Sequence, residues 1–154
     1  MSGAGPSAEE GELLAGLDDI GRGHLPGEMG VQIVEAGAGR VEGRLEVRPG
    51  HQAPNGFLHA AAIVALADTC CGYGCQISLP EGASGFTTIE LKANFLRTLK
   101  EGALACRARL VHGGRTTQVW DADVTDEATG GVLALFRCTQ AILWPREGAH
   151  HANP

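Results

Sequence analysis

Between residues 56 and 80 the chain carries one carboxylate, Asp68, and one imidazole, His59, in a run otherwise dominated by Ala, Ile, Val, Leu, Gly and Cys. An ionised Asp on so apolar a segment costs several kcal/mol unless it is paired, so Asp68 needs either a partner or a purpose. A general base or a nucleophile is one purpose; a structural carboxylate that caps or hydrogen-bonds a neighbouring loop is the alternative. His59 precedes Asp68 by nine residues, which on one straight helix is about 13 to 14 Å along the axis and roughly half a turn out of phase. Two such groups do not act on one atom within one helix. If both serve one site, they must meet from two copies of the chain.

With His59 at the helix start, the free backbone N–H groups of Ala60 and Ala61 and the positive end of the helix dipole face whatever docks there. Two such donors would polarise a carbonyl and hold developing negative charge, which suits acyl transfer. Small side chains at both positions let a substrate approach the backbone. Close packing of the helix explains the same alanines equally well.

The elements that must position these groups follow from periodicity. Leu13, Leu14 and Leu17 recur at helical spacing over residues 9–18 behind an acidic first turn. Residues 30–47 alternate as a hairpin, with Val31, Ile33 and Val34, a turn at residues 37–39, then Val41, Leu45 and Val47. Residues 49–55 are loop chemistry. Residues 58–75 predict a helix of roughly four to five turns, apolar all around and so enclosed by the rest of the fold, ended by Gly72, Gly74 and Pro80. Strand-like segments follow at 86–96, 103–112, 116–125 and 132–143, separated by turn residues, and predict an antiparallel meander. One very apolar helix with a long antiparallel sheet predicts an α+β domain whose sheet curls around the helix.

At 154 residues and 44% apolar content the chain is sized for one domain, set at residues 9–145 with tails at 1–8 and 146–154 taken as disordered. His150 and His151 in the second tail read as solvent-exposed. A net charge of −6 offers no broad basic surface for nucleic acid or an anionic membrane. The five cysteines show neither paired CxxC spacing nor an even count, and no secretory pattern opens the chain, so reduced thiols in a cytoplasm are expected. Residues 56–80 are apolar enough to suggest a membrane span, but Asp68, His59, Gln76 and the glycines make them a better core helix.

The run from Asn55 through Gly56, Phe57, Leu58, His59, Ala60 and Ala61 to Asp68, followed by Phe86, Thr87, Thr88, Ile89, Glu90 and Leu91, resembles the phenylacetate-degradation type of hotdog thioesterase. The likeness covers roughly residues 30–143. It implies a hotdog fold that hydrolyses acyl-CoA thioesters as a homodimer or dimer of dimers, with coenzyme A as part of the substrate and no cofactor or metal. By position it makes Asp68 the general base or nucleophile, His59 an orienting group, and the Ala60 N–H the carbonyl donor. Thr88 becomes the hydroxyl beside the carboxylate, with Thr87 its nearest rival.

Two departures stand out. Ala60 and Ala61 replace the family's paired glycines, and Ala53 stands where many relatives place Asn or Gln, leaving Asn55 or Gln52 to substitute. These changes keep open a second reading, a non-hydrolytic acyl-thioester binding protein on the same scaffold. Arg97 and Arg115, with Lys100, Arg107, Arg109 and His112, are candidates for the coenzyme A phosphates or for a solvated sheet face. Phe57, Leu58, Tyr73, Phe86 and Phe95 are candidates for an acyl tunnel or for ordinary core. Cys70, Cys71 and Cys75 read as small buried hydrophobes.

Overall fold

The computed structural model describes residues 7–146; of the expected tails at 1–8 and 146–154, residues 1–6 and 147–154, with His150 and His151, lie outside the described residues, while Ser7 and Ala8 begin a helix. Helix α1 spans Ala8–Gly21, and the Ser7 hydroxyl caps it by accepting the Glu10 N–H at 3.2 Å. A single-turn helix, α2 (Leu25–Met29), follows, opened by Pro26 and closed by Gly30 at φ 76°. Strands β1 (Val31–Gly37) and β2 (Arg40–Glu46) form the expected hairpin. A 3-10 turn at Pro49–His51 leads through a short loop to α3, Ala60–Ile77.

Helix α3 begins two residues later than the apolar run predicts, because His59 is an extended N-cap, and it runs straight through Gly72 and Gly74. Those glycines do not stop the helix, and Gly74 lets the sheet approach it. A Cβ on Gly74 would sit 2.5 Å from the Trp120 ring, a contact that sequence periodicity cannot show.

Strands β3 (Gly85–Phe95), β4 (Ala103–Gly113), β5 (Thr117–Asp126) and β6 (Val132–Leu143) complete one antiparallel sheet in the order β1-β2-β4-β5-β6-β3. Only β4, β5 and β6 form the predicted meander. Because α3 crosses the sheet between β2 and β3, the chain reaches the far edge before returning to place β4 beside β2. Leu66, Ala67, Cys70 and Cys71 of α3 are sealed with Leu45, Leu104, Trp120, Val124 and Leu133 of the sheet. Each large side chain withdrawn from water here contributes about 1.5 to 3 kcal/mol. Helix α3 is long and apolar enough to cross a membrane by composition, yet it is the core around which the sheet closes. All five cysteines are buried and unpaired, and burial pushes the Cys75 thiol up to about 12.

Strand β3 differs from its neighbours. It pairs with β6 on one side and, among the described residues, with nothing on the other. A bulge between Thr88 and Glu90 resets its register.

Candidate active site

Asp68 sits midway along α3, in a cleft of about 270 Å³ between α3, α2 and the first half of β3. Its Oδ1 is shielded from solvent and has no hydrogen-bond partner among the described residues. Burial raises its carboxyl above the ordinary range, because the charged form loses hydration that no neighbour replaces. Thr88 lines the same cleft. Its Oγ1 donates to Gln140 Oε1 at 2.8 Å, and Gln140 Nε2 donates in turn to Cys138 Sγ at 3.3 Å. With its proton committed to Gln140, the Thr88 hydroxyl is left as an acceptor beside the carboxylate. Thr87 alternates to the other side of the strand, opposite Ala141, and does not line the cleft.

A second cleft, of about 290 Å³, holds His59 together with His51, Gln52, Ala61 and Met29. Ala65 and Leu25 line both clefts. The two adjoin along the stripe Ala61, Ala65, Asp68 and Gly72, which helical spacing places on one face. His59 has φ −70° and ψ 136°, so the helical phase expected between it and Asp68 does not apply. Its Nδ1 accepts the Ala61 N–H at 3.0 Å, which puts the proton of the neutral ring on Nε2. Of the two expected backbone donors, Ala61 is therefore occupied. The Ala60 N–H, at the first helical position, has no intrahelical acceptor and no other partner among the described residues.

A partnerless carboxylate, a hydroxyl oriented to accept, and a free N–H at a helix start are the parts of a water-activating, carbonyl-polarising site. Residues 55–133 match the Thioesterase superfamily. The chain is 33% identical to the 1,4-dihydroxy-2-naphthoyl-CoA hydrolase of Listeria monocytogenes, over 77% of this chain and 95% of that one. This chain belongs to the thioesterase superfamily. Its fold superposes on thioesterase HI1161 of Haemophilus influenzae with a TM-score of 0.80 at 27% identity, over 90% of this chain and 94% of that one. The PaaI protein of Escherichia coli, at 20% identity and a TM-score of 0.73 over 88% and 91% of the two chains, shares the fold. The helix-in-sheet architecture is thus the hotdog fold, and the protein is a thioester hydrolase.

In this thioesterase the other expected site residues divide sharply. Gln52 lies in the His59 cleft and donates from Nε2 to the Lys100 carbonyl at 2.8 Å. Asn55 does not reach either cleft; its Oδ1 accepts the Phe57 N–H at 3.1 Å and shapes the turn. Ala53 offers only backbone, donating its N–H to the Phe57 carbonyl at 2.7 Å. Phe57 is exposed beneath the Lys100 ammonium, 4.8 Å from the ring centroid. The Arg115 guanidinium stacks 4.3 Å over Trp144. Neither Arg115 nor Arg97 lines either of these two clefts.

His51 is a site residue that periodicity and spacing did not single out. It is 4% exposed, its Nδ1 accepts the Arg48 N–H at 3.1 Å, and its carbonyl accepts the His59 N–H at 2.9 Å. Burial, then the nearby Arg48 charge, lowers its pKa, so the ring is held neutral. Its only sequence signal is a histidine in the loop that leads to His59.

Proposed function

We propose that this thioesterase hydrolyses acyl-CoA thioesters to free acid and coenzyme A at a site built from two copies of the chain. The observation that carries the reading is the unpartnered Asp68 Oδ1 on the same helix as its carbonyl donor. Ala60 and Asp68 are separated by about 12 Å of helix axis, too far to serve one thioester in one subunit.

The bare edge of β3 supports a second copy there. Beyond the bulge, Leu91 and Phe95 stand opposite Cys138 and Ala134, whose side chains face the core. Yet Leu91 and Phe95 remain 43% and 46% exposed. An unpaired strand edge next to uncovered apolar side chains is the surface that strand-to-strand pairing across a two-fold axis would cover.

In such a dimer the thioester carbonyl accepts the N–H of one copy's Ala60, with that copy's His59 alongside. Water rests between Thr88 and Asp68 of the other copy. The Asp68 carboxylate takes one water proton, and the hydroxide adds to the carbonyl carbon. Negative charge on the tetrahedral oxygen faces the Ala60 N–H. The C–S bond then breaks, and the leaving thiolate recovers the proton from Asp68. The CoA thioester hydrolysed by the Listeria relative, as its name states, supports coenzyme A as the leaving group.

The test is subunit complementation. Asp68→Asn and a His59→Trp variant that blocks the Ala60 donor are each inactive alone. Refolded together in equal amounts, random pairing regenerates one intact site in half the dimers, so about a quarter of wild-type activity returns. No recovery, with mixed dimers shown to form, would place both groups' work within one subunit and end the shared-site reading.

A further inference from the structure

The two adjoining clefts along α3 differ in their walls. Both are mostly apolar and share Leu25 and Ala65; Pro26, Gly72, Tyr73 and Phe86 line only the Asp68 half, and His51, Gln52 and His59 only the other. In the Asp68 half, an acyl group whose carbonyl lies at Asp68 has the apolar surfaces of Pro26, Tyr73 and Phe86 beside it. Two features bound that half.

Tyr73 lines that half five residues beyond Asp68, about 7 Å along the helix axis. The Tyr73 phenol reaches across to α1. Its Oη lies 2.9 Å from where a Cβ on the buried Gly21 would stand, so the ring is wedged between two helices.

The width of the slot is set at Gly72. A glycine inside a helix is unfavourable relative to alanine, so its presence needs a reason. At Gly74 the reason is packing, since a Cβ there would strike Trp120 at 2.5 Å. At Gly72 packing supplies none: a Cβ would stand 3.4 Å from the Phe86 ring edge, at ordinary contact distance. It would, however, project into the Asp68 cleft that Gly72 lines.

We infer that Tyr73 and Gly72 determine acyl specificity, Tyr73 as the stop that limits length and Gly72 as the gap that admits width. The assignment rests on the hydrolytic site proposed above. The slot takes a single ring or a short chain with its carbonyl at Asp68, and turns away long linear acyl groups.

Two readouts on the full-length protein test it: kcat/KM for hexanoyl-, benzoyl- and decanoyl-CoA, and binding of the matching non-hydrolysable thioether analogues by calorimetry. Tyr73→Ala should raise the decanoyl-to-hexanoyl ratio about tenfold or more, and Tyr73→Leu, which keeps apolar packing, should raise it less. Gly72→Ala should lower the benzoyl-to-hexanoyl ratio by at least about fivefold while raising Tm, a combination that a purely structural glycine would not give. Ratios that stay at the wild-type value in folded Tyr73→Leu and Gly72→Ala proteins overturn the assignment. If no acyl-CoA is hydrolysed, the hydrolytic reading fails, and the analogue-binding ratios still decide the slot.

Discussion

Gln118 and Gln140 are 1% and 0% exposed in the centre of the sheet, and each is provided with partners. Gln118 donates to the Ser78 carbonyl at 2.8 Å and accepts the Trp120 indole N–H at 2.8 Å. Gln140 accepts from Thr88 and donates to Cys138. Asp68, on the helix that crosses the same sheet, bears a charge whose burial costs more than that of an amide. Its Oδ1 has no partner. The fold thus gives each polar atom of the two buried amides a partner and leaves the shielded oxygen of a half-buried carboxylate without one. Gln140 orients Thr88, and on the function proposed above the carboxylate is held for a ligand atom.

Breaking the contrast from either side should give opposite results. Asp68→Asn removes the base and keeps the shape, so kcat should fall by roughly a thousandfold, read from thiol release, with the circular dichroism spectrum unchanged. An Asn variant that turns over at the wild-type rate would make Asp68 a bystander. Gln118→Leu leaves the buried Trp120 indole N–H and the part-buried Ser78 carbonyl without the Gln118 partner. It should cost about 2 to 4 kcal/mol in urea unfolding, with kcat/KM of the folded fraction preserved. A small stability loss there would mean that other groups or water satisfy the pair, and the contrast with Asp68 would weaken.

How much of this was legible in the sequence depended on the range of the interactions involved. The β1–β2 hairpin, α3 and the last four strands follow from alternation and apolar runs, which are local signals. The position of β3 beside β6 does not, because periodicity specifies a strand without naming its neighbour. Helix α2 carries no periodic signal, because it is a single turn that includes Pro26 and Gly27. Gly74 reads as a stop because the partner that explains it, Trp120, lies far along the chain. In the site, Asp68 and His59 were visible as lone polar groups in an apolar run. The support of Thr88 by Gln140 and the placement of His51 under His59 exist only in the folded chain. The loss of the Ala61 donor to the His59 ring depended on the cap's backbone angles, which residue types do not specify.

The smallest expected effect distinguishes the two kinds of buried polar group most directly. Burial raises the Asp68 carboxyl in the folded state, so between the ordinary unfolded value and the raised folded value the native protein binds more protons than the unfolded chain. In that window wild-type stability falls as pH rises. Below it both states are protonated and the cost disappears; above it the full cost persists. Asparagine is neutral throughout, so the stability of Asp68→Asn relative to wild type should rise from acid toward neutral pH, traced by urea unfolding from about pH 4 to 8. On the proposed mechanism the ionisation that weakens the fold also arms the base, so kcat should rise with pH across the same interval. A pH-independent difference between the two proteins would mean that Asp68 is solvated or partnered in solution, and the distinction from Gln118 and Gln140 would lose its physical basis.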